Sequence, residues 1–400
     1  MALDMTTAAA VLKTLYPPER IKRLCYEHNP FFAMVAKDES FTGENLKQPV
    51  QYGNPQGRSA TFATAQTNAD NSKYKAFTLT RVKDYGVAVI ANETVKAAAN
   101  DRGAFIRTLE SEMNNMLFSL KRSIATSLYR NGSGSIGRLS ATSGVTTAIT
   151  LSERLDHVNF EEGMVLQLST ADGTGSLKTG TTKITDVNRG TGVLTVDTSL
   201  ATFTPVGAVN DYIFMQGDHA AKISGLAAWI PTSAPTATTF FSVDRTADTE
   251  RLGGVRITGS GAPIDEVLID AMGEMGSYGA APDVFFMNYK QWQALAKTLE
   301  GKVQIVNLNV DGLVGFRGMR LQGPTGAVDI VPDVNCPAGY GYLLQMNTWK
   351  LYSLGPVPHL FDTDGLSSLR QASADGVEVR GQYYAQLGCS APGWNAVIIF

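Results

Sequence analysis

The stretch "GAFIRTLESEMNNMLFSLKRSIATSLYRNGSG" constrains this chain more than any other. Phe105, Ile106, Leu109, Met113, Met116, Leu117, Leu120, Ile124 and Leu128 recur at helical offsets. They mark one apolar face of a helix from about residue 101 to 130. Asp101 suits its N-terminus and Gly132 its stop. Such a helix would be about 45 Å long.

The segments around it differ sharply in character. Residues 1 to 40 read as a helical arm, broken at Pro17-Pro18. Residues 41 to 81 are long, polar and dotted with Gly43, Gly53, Pro55 and Gly57. Alternation at Val50 and Tyr52, then at Phe77 and Leu79, predicts a two-stranded ribbon with a disordered-looking tip. A hairpin is marginal by itself, so it should lie on something else. A polar loop of this length is odd in a compact monomer and points to an intermolecular role. "DYGVAVIANETV" then reads as an apolar strand.

Beyond the helix, "MVLQLS", "TKITDV", "GVLTVD" and "DYIFMQG" alternate between turn residues, with "VNRGTGVL" as a hairpin. They predict a small antiparallel module, barrel-like, inserted over about residues 145 to 222. "AWIPTSAPTATTF" reads as a surface loop. From residue 262 the pattern becomes α/β: helix "APIDEVLIDAMGEMGSYG", buried strand "APDVFFMN", helix "YKQWQALAKTL" and three short strands. "GVEVRGQYYAQLGCSAPGWNAVIIF" gives two last strands around the Gly388 to Gly393 turn.

Composition bounds the function classes. Hydrophobic residues make up 44% of 400 and charged ones 18%, enough for a real core. The formal charge of −3 gives no global pull toward nucleic acid. Cys25, Cys336 and Cys389 are far apart, odd in number and without CxxC spacing, which predicts reduced thiols in a cytosolic setting. No signal-like or membrane-spanning stretch is evident.

Chemical motifs are weak. Gly132, Gly134 and Gly137 have the G-x-G-x-x-G spacing of a dinucleotide site. That fingerprint needs a strand before the first glycine and a helix near the third, and here a helix comes first. His28, His157, His219 and His359 are isolated, so no metal site is expected. Glu110/Glu112 and Glu161-Glu162 fall on solvated positions, and no G-x-S-x-G elbow occurs. No catalytic, cofactor-binding or metal-ligating residue is assigned. What stands out is mechanical: a projecting ribbon with Lys47, Arg58, Lys73 and Lys75 but few acids. Elements that do not bury their own surface are usually completed by neighbouring copies.

In this order the parts resemble the major capsid proteins of tailed bacteriophages, with the Hong Kong 97-type fold. The stretches that carry the likeness are "NLKQPVQYG…SATFATAQ…FTLTRVKDYGVAVIANE" as the extended loop and the long helix as the spine. "PIDEVLIDAMGEMGSYGAAPDVFFMNYKQWQALA" resembles the axial domain and "VEVRGQYYAQLGCSAPGWNAVIIF" the closing segment. The implied fold class is α+β. The implied division is an N-terminal arm (1–40), extended loop (41–81), peripheral domain with spine helix (82–140) and inserted β domain (141–222). An axial domain (223–335), further peripheral β elements (336–375) and a closing axial segment (376–400) complete it.

The resemblance implies a non-enzymatic subunit of hexamers and pentamers that build an icosahedral shell around double-stranded DNA. Lys47, Arg58, Lys73 and Lys75 would touch an adjacent copy, and residues 1 to 40 would reach another. Ile106, Leu109, Met113, Leu117, Leu120, Ile124 and Leu128 would pack the spine helix. With the helix starting near residue 101, a separate scaffolding protein, or a propeptide already lost, is expected. Portal protein, a cement or decoration protein, and DNA held non-specifically on the inner face are the other implied partners, with no membrane. The virion would be its place and the bacterial host cytoplasm its site of assembly. Loop lysines in some relatives crosslink to Asn on a neighbour; none is expected to do so here. An encapsulin-like compartment shell is the alternative, and a nucleotide-dependent oxidoreductase resting on the three glycines a more distant one.

Overall fold

The computed structural model describes residues 29–93, 108–141, 146–298, 305–308, 316–361, 369–371 and 375–400, with backbone alone at 108–111, 305–308 and 316–318. The long helix runs Thr108–Tyr129, about 33 Å. It lies on a sheet whose central strand, Gly376–Cys389, pairs antiparallel with Val82–Ala91. Two glycines opposite each other in that pair, Gly86 and Gly381, set the distance of approach. A Cβ at Gly86 would stand 2.9 Å from Met116, and one at Gly381 2.8 Å from Met116 and 2.9 Å from Leu120. The missing side chains let the helix settle directly on the strands.

Seating there selects the buried face. Met116, Leu120, Ile124, Ala125, Leu128 and Tyr129 are buried, while Met113 and Leu117 stand half-buried at its margin. Ile106 and the Leu109 side chain lie outside the described residues.

The same central strand carries Trp349–Ser353, His359–Leu360 and Leu369–Arg370 on its other edge. Ala36–Asp38 adds in parallel to Trp349–Ser353. The expected helical arm therefore ends in structure: a short helix, Pro30–Met34, and this strand. Phe31, Val35 and Phe41 are buried in the main core, so residues 30–41 belong to the body, and residues 1–28 of the expected arm lie outside the described residues. These three side chains tie this part of the arm to the core.

The second sheet has seven strands in the order Val255–Thr258, Ala396–Ile399, Tyr340–Leu344, Val284–Met287, Gly326–Pro332, Phe316–Gly323, Ile305–Leu308. Its core includes Leu268, Met272 and Met275 from helix Ile264–Ser277 and Leu295 from helix Tyr289–Thr298. The chain passes from the first sheet to this one through Asn395. That buried amide donates to Thr348 Oγ1 (3.1 Å) and the Ala391 carbonyl (2.9 Å), and accepts from Gln345 N–H (2.9 Å) and Trp349 Nε1–H (2.8 Å). Every polar atom of the amide is paired, as burial requires.

The stretch expected as a surface loop begins inside the protein. Leu226–Trp229 is one helical turn, and Trp229 and Ile230 are fully buried. Trp229 donates Nε1–H to the Leu387 carbonyl (3.1 Å) and meets Phe77 with ring centroids 4.9 Å apart. The Pro, Ser and Thr residues that suggested a loop follow it, mostly exposed, from residue 231.

Strands Ser135–Arg138, Tyr212–Met215, Val165–Ser169, Thr182–Asn188, Val193–Val196 and Ala148–Thr150 form a separate antiparallel sheet in that order. Its first and last strands meet at a Leu139–Leu151 bridge, with Ser140 N–H on the Thr150 carbonyl (2.9 Å) and Ser152 N–H on Arg138 (2.8 Å). The sheet thus closes on itself as a small barrel. Leu166, Leu168, Ile184, Leu194, Phe203 and Ile213 fill a core of its own.

Candidate assembly surfaces

The ribbon consists of Asn45–Gly53 and Lys73–Thr80, paired from Asn45↔Thr80 to Gly53↔Lys73. Nine residues of strand span about 30 Å. Alternation makes its two faces unlike. Gln48, Val50, Phe77 and Leu79 are buried at its base, against Trp229 and Leu387 of the main core. Lys47, Pro49, Gln51, Tyr74 and Ala76 point the other way, exposed. The cations expected to act together are divided by this geometry: Lys47 is on the outer face, whereas Lys73 and Lys75 share the strand face of Phe77 and Leu79. Lys75 is half-buried and its charge, after hydrogen bonds from Thr246, helps hold Asp244 below the usual carboxylate range. Among the described residues Lys47, Arg58 and Lys73 make no ion pair within the chain.

The tip, expected to look disordered, contains a short helix, Phe62–Thr67. Thr61 and Thr64 hydroxyls meet at 2.7 Å, and a Cβ on Gly57 would lie 2.7 Å from Ala69 Cα, so the two limbs of the tip touch. These local contacts order a segment that buries no side chain. Phe62 is 83% exposed.

A second exposed apolar surface lies on the first sheet, opposite the helix. Because Gly86 faces the helix, the alternating Tyr85, Val87 and Val89 face away, each more than half exposed. Across the register Tyr384, Arg380 and Glu378 share their side. Tyr85 and Tyr384 meet edge to face at 6.2 Å. A depression of about 290 Å³ opens between Tyr85, Val87, Phe361, Arg380 and Tyr384.

A polar junction holds the barrel to the helix. Lys222 reaches Asp84 at 2.5 Å and Asp218 at 3.1 Å, and Ser123 and Tyr383 hydroxyls also donate to Asp84. Burial raises the Asp218 carboxyl above its ordinary range, against the opposing pull of Lys222. Arg130 pairs with Asp156 at 2.9 Å, and Arg122 donates to the Val158 carbonyl (3.0 Å) and Asn335 (2.9 Å). A cavity of about 660 Å³ lies in this junction, lined among others by Phe118, Thr126, Ile136, Met164, Met215 and Lys222. No sequence pattern marks this cluster, because Asp84, Ser123, Asp218 and Lys222 are distant along the chain and ordinary in type.

The glycines of the nucleotide-like spacing lie at the same junction. Gly132 and Gly134 have φ of +85° and +84°, and a Cβ at Gly134 would collide with the Asp218 carbonyl. A strand, Ser135–Arg138, follows instead of a helix. Among the described residues no helix begins at the third glycine, which lies within that strand. The spacing serves a tight exit from the long helix into the barrel. His157 contacts the Arg154 carbonyl, His219 packs on Phe214, and His359 contacts the Pro356 carbonyl and Gln382. His28 lies outside the described residues. Among the described residues no three His, Cys, Asp or Glu side chains converge as metal ligands, and no helix is long and apolar enough to cross a membrane. Cys336 and Cys389 are buried thiols, with burial pushing Cys389 up to about 12.

Comparison with known proteins bears on the fold. Residues 210–390 match the family model described as SU10 major capsid protein. The capsid subunit of cyanophage A-1(L) is similar in structure over 96% of this chain and 95% of its own, with TM-score 0.58 and 13% identity. The capsid of the native GTA particle is similar over 100% of this chain and 99% of its own, with TM-score 0.54 and 11% identity. The capsid of the empty GTA particle gives TM-score 0.55 at 10% identity, covering 100% and 99%. No curated protein sequence matches the chain.

Proposed function

We propose that this chain, a major capsid protein of the tailed-bacteriophage type with the Hong Kong 97-type fold, assembles as hexamers and pentamers into an icosahedral shell around double-stranded DNA. The match of residues 210–390 to a major capsid protein family and the likeness in fold to phage and GTA capsids support shell formation from copies of this chain and residence in the virion. The observation that carries it is the ribbon: one face of its strands is packed on the core as far as Tyr52, while the tip beyond Gly53 buries no side chain of its own chain. Such a tip is complete only against another copy.

In this reading the ribbon lies over an adjacent subunit, with Lys47 on its outer face and Arg58 at its tip placed to meet it. The spine helix and first sheet form the peripheral domain, the seven-stranded sheet the axial domain at the capsomer centre, and the barrel a stabilising insertion. A separate scaffolding protein directs assembly in the host cytoplasm, a portal protein occupies one vertex, and a cement protein decorates the outside. The formal charge of −3 leaves DNA contact to local, non-specific patches on the inner face. The subunit performs no catalysis in this account.

Negative-stain microscopy of the purified protein, expressed alone and with its scaffold, tests the reading. Closed shells of uniform size support it. Only soluble monomers under both conditions, in a protein that unfolds cooperatively, would count against it.

A further inference from the structure

We infer that residues 240–251 form a sprung clasp on the ribbon. Closed, the clasp holds the ribbon against its own body; strain in its turn, Phe240–Val243, limits how firmly it does so. The clasp is a property of the single subunit, and its opening during assembly rests on the shell reading. Three observations carry the inference.

The turn is strained. Phe240 and Val243 exchange both backbone hydrogen bonds (2.9 Å each), and Phe241 and Ser242 between them have φ of +46° and +67°. Left-handed backbone at two successive positions is the geometry of a type I′ turn, which favours Asn-Gly. Phenylalanine and serine adopt it at a cost, and such strain persists only where the surroundings impose it. Packing accounts for Phe241, whose ring centroid lies 4.4 Å from that of Phe240 and 5.6 Å from that of Trp229. It does not account for Ser242, which is exposed.

The strained form is the one that grips the ribbon. Thr78 N–H leaves the ribbon ladder and donates to the Phe241 carbonyl at 2.9 Å. An ordinary right-handed turn is the mirror image, and would send that carbonyl to the opposite face. Closing the clasp therefore strains the turn, and opening it relaxes the turn.

The rest of the segment is built to hold and let go. Arg251 donates to the Tyr52 carbonyl on the other ribbon strand (2.7 Å), and the Lys75 charge acts on Asp244. Arg245 anchors one end of the turn: it donates to the Ala228 and Trp229 carbonyls (2.8 and 3.2 Å) and lies 4.3 Å over the Phe240 ring. At the other end residues 231–239 are mostly exposed and supply slack.

Amide exchange in the purified subunit, read at Thr78, tests the clasp, because the Phe241 carbonyl is the partner of that N–H. Ser242→Gly relieves strain and removes no packing. Exchange at Thr78 should slow about threefold, the left-handed gain exceeding glycine's loss of backbone entropy. Ser242→Val adds strain at the same exposed position, and exchange at Thr78 should quicken about threefold or more. Barrel amides such as Leu166 and Ile213 should exchange as before in both variants. Unchanged exchange at Thr78, or a change shared equally by the barrel, overturns the inference. Light scattering during assembly with the scaffold tests the opening: Ser242→Gly should build shells about threefold more slowly than the unaltered chain, and Ser242→Val faster. Equal rates from all three overturn the opening step. An unaltered chain that builds no shells would instead strike the shell reading, while exchange at Thr78 still judges the clasp.

Discussion

The body and the barrel are built on opposite plans. The barrel's core is drawn from residues 139 to 213 and is closed within them. The body's main core gathers Phe31, Phe77, Leu120, Trp229, Phe286, Trp349 and Leu387, from nearly the full length of the chain. One is a unit that could have been inserted anywhere two chain ends come close; the other exists only when the whole chain has folded. The contact between them is polar, running through Lys222, Asp84, Asp218, Arg122 and Arg130. Apolar surfaces make interiors here, and charges make the joint.

The largest expected effect strikes the body. Ile124→Asp places an unpaired carboxylate in a fully buried site, and no folded body should be recovered. Trp229→Ala should cost about 3–5 kcal/mol. In calorimetry it should lower the body's transition and leave the barrel's in place. A single transition falling as a whole would break the comparison. Replacing residues 136–213 with a short glycine linker tests it from the other side. The remaining protein should fold, with a transition that moves less than in Trp229→Ala.

The joint should respond more mildly. Lys222→Ala leaves Asp84 and Asp218 facing each other without their shared cation. Both carboxylates keep some solvent contact, so the loss should be about 1–3 kcal/mol. Amide exchange should quicken around residues 131–138 and 215–224 while both cores stay protected.

Leu117→Asp should be milder still, under about 1 kcal/mol, because a half-buried margin lets the charge stay hydrated. Denaturant titration separates it from Ile124→Asp. A loss as large as that variant's would show that the helix seats on a different face.

Acidity gives the finest test. Burial raises the Asp333 carboxyl, although Tyr129 hydroxyl and Asn335 and Phe31 amides donate to it. The native state then holds its proton longer than the unfolded chain. Its contribution is most favourable below the unfolded carboxylate range and declines as pH rises toward the raised native value. Asp333→Asn should remove that decline, seen as a neutral-buffer denaturant midpoint that rises relative to the acidic one when compared with the same pair for the unaltered protein.

These contrasts also explain what could be read beforehand. The long helix, the two arms of the ribbon and the barrel strands announce themselves through periodicity, a local property. The face of the helix was legible only in outline. Met116 and Leu117 are equally apolar neighbours, and the pair Gly86 and Gly381, remote in sequence, decides which is buried. Trp229 was hidden because its neighbours in sequence are loop formers while its neighbours in space are Phe77, Trp349 and Leu387. The junction ion cluster was invisible for the same reason. The loop cations were recognisable as a group, yet strand alternation divides them, with Lys47 on one face and Lys73 and Lys75 on the other.

We propose that the anchored ribbon with its uncovered tip is what lets this chain build a shell. Replacing residues 54–72 with an Asn-Gly turn removes the tip alone, since Gly53 and Lys73 already stand opposite each other. Electron microscopy of this variant beside the full chain, each made with the scaffold, is the most direct measurement. The account predicts closed shells from the full chain, and from the variant a folded subunit that forms few or none. Equal yields of regular shells from both would contradict it.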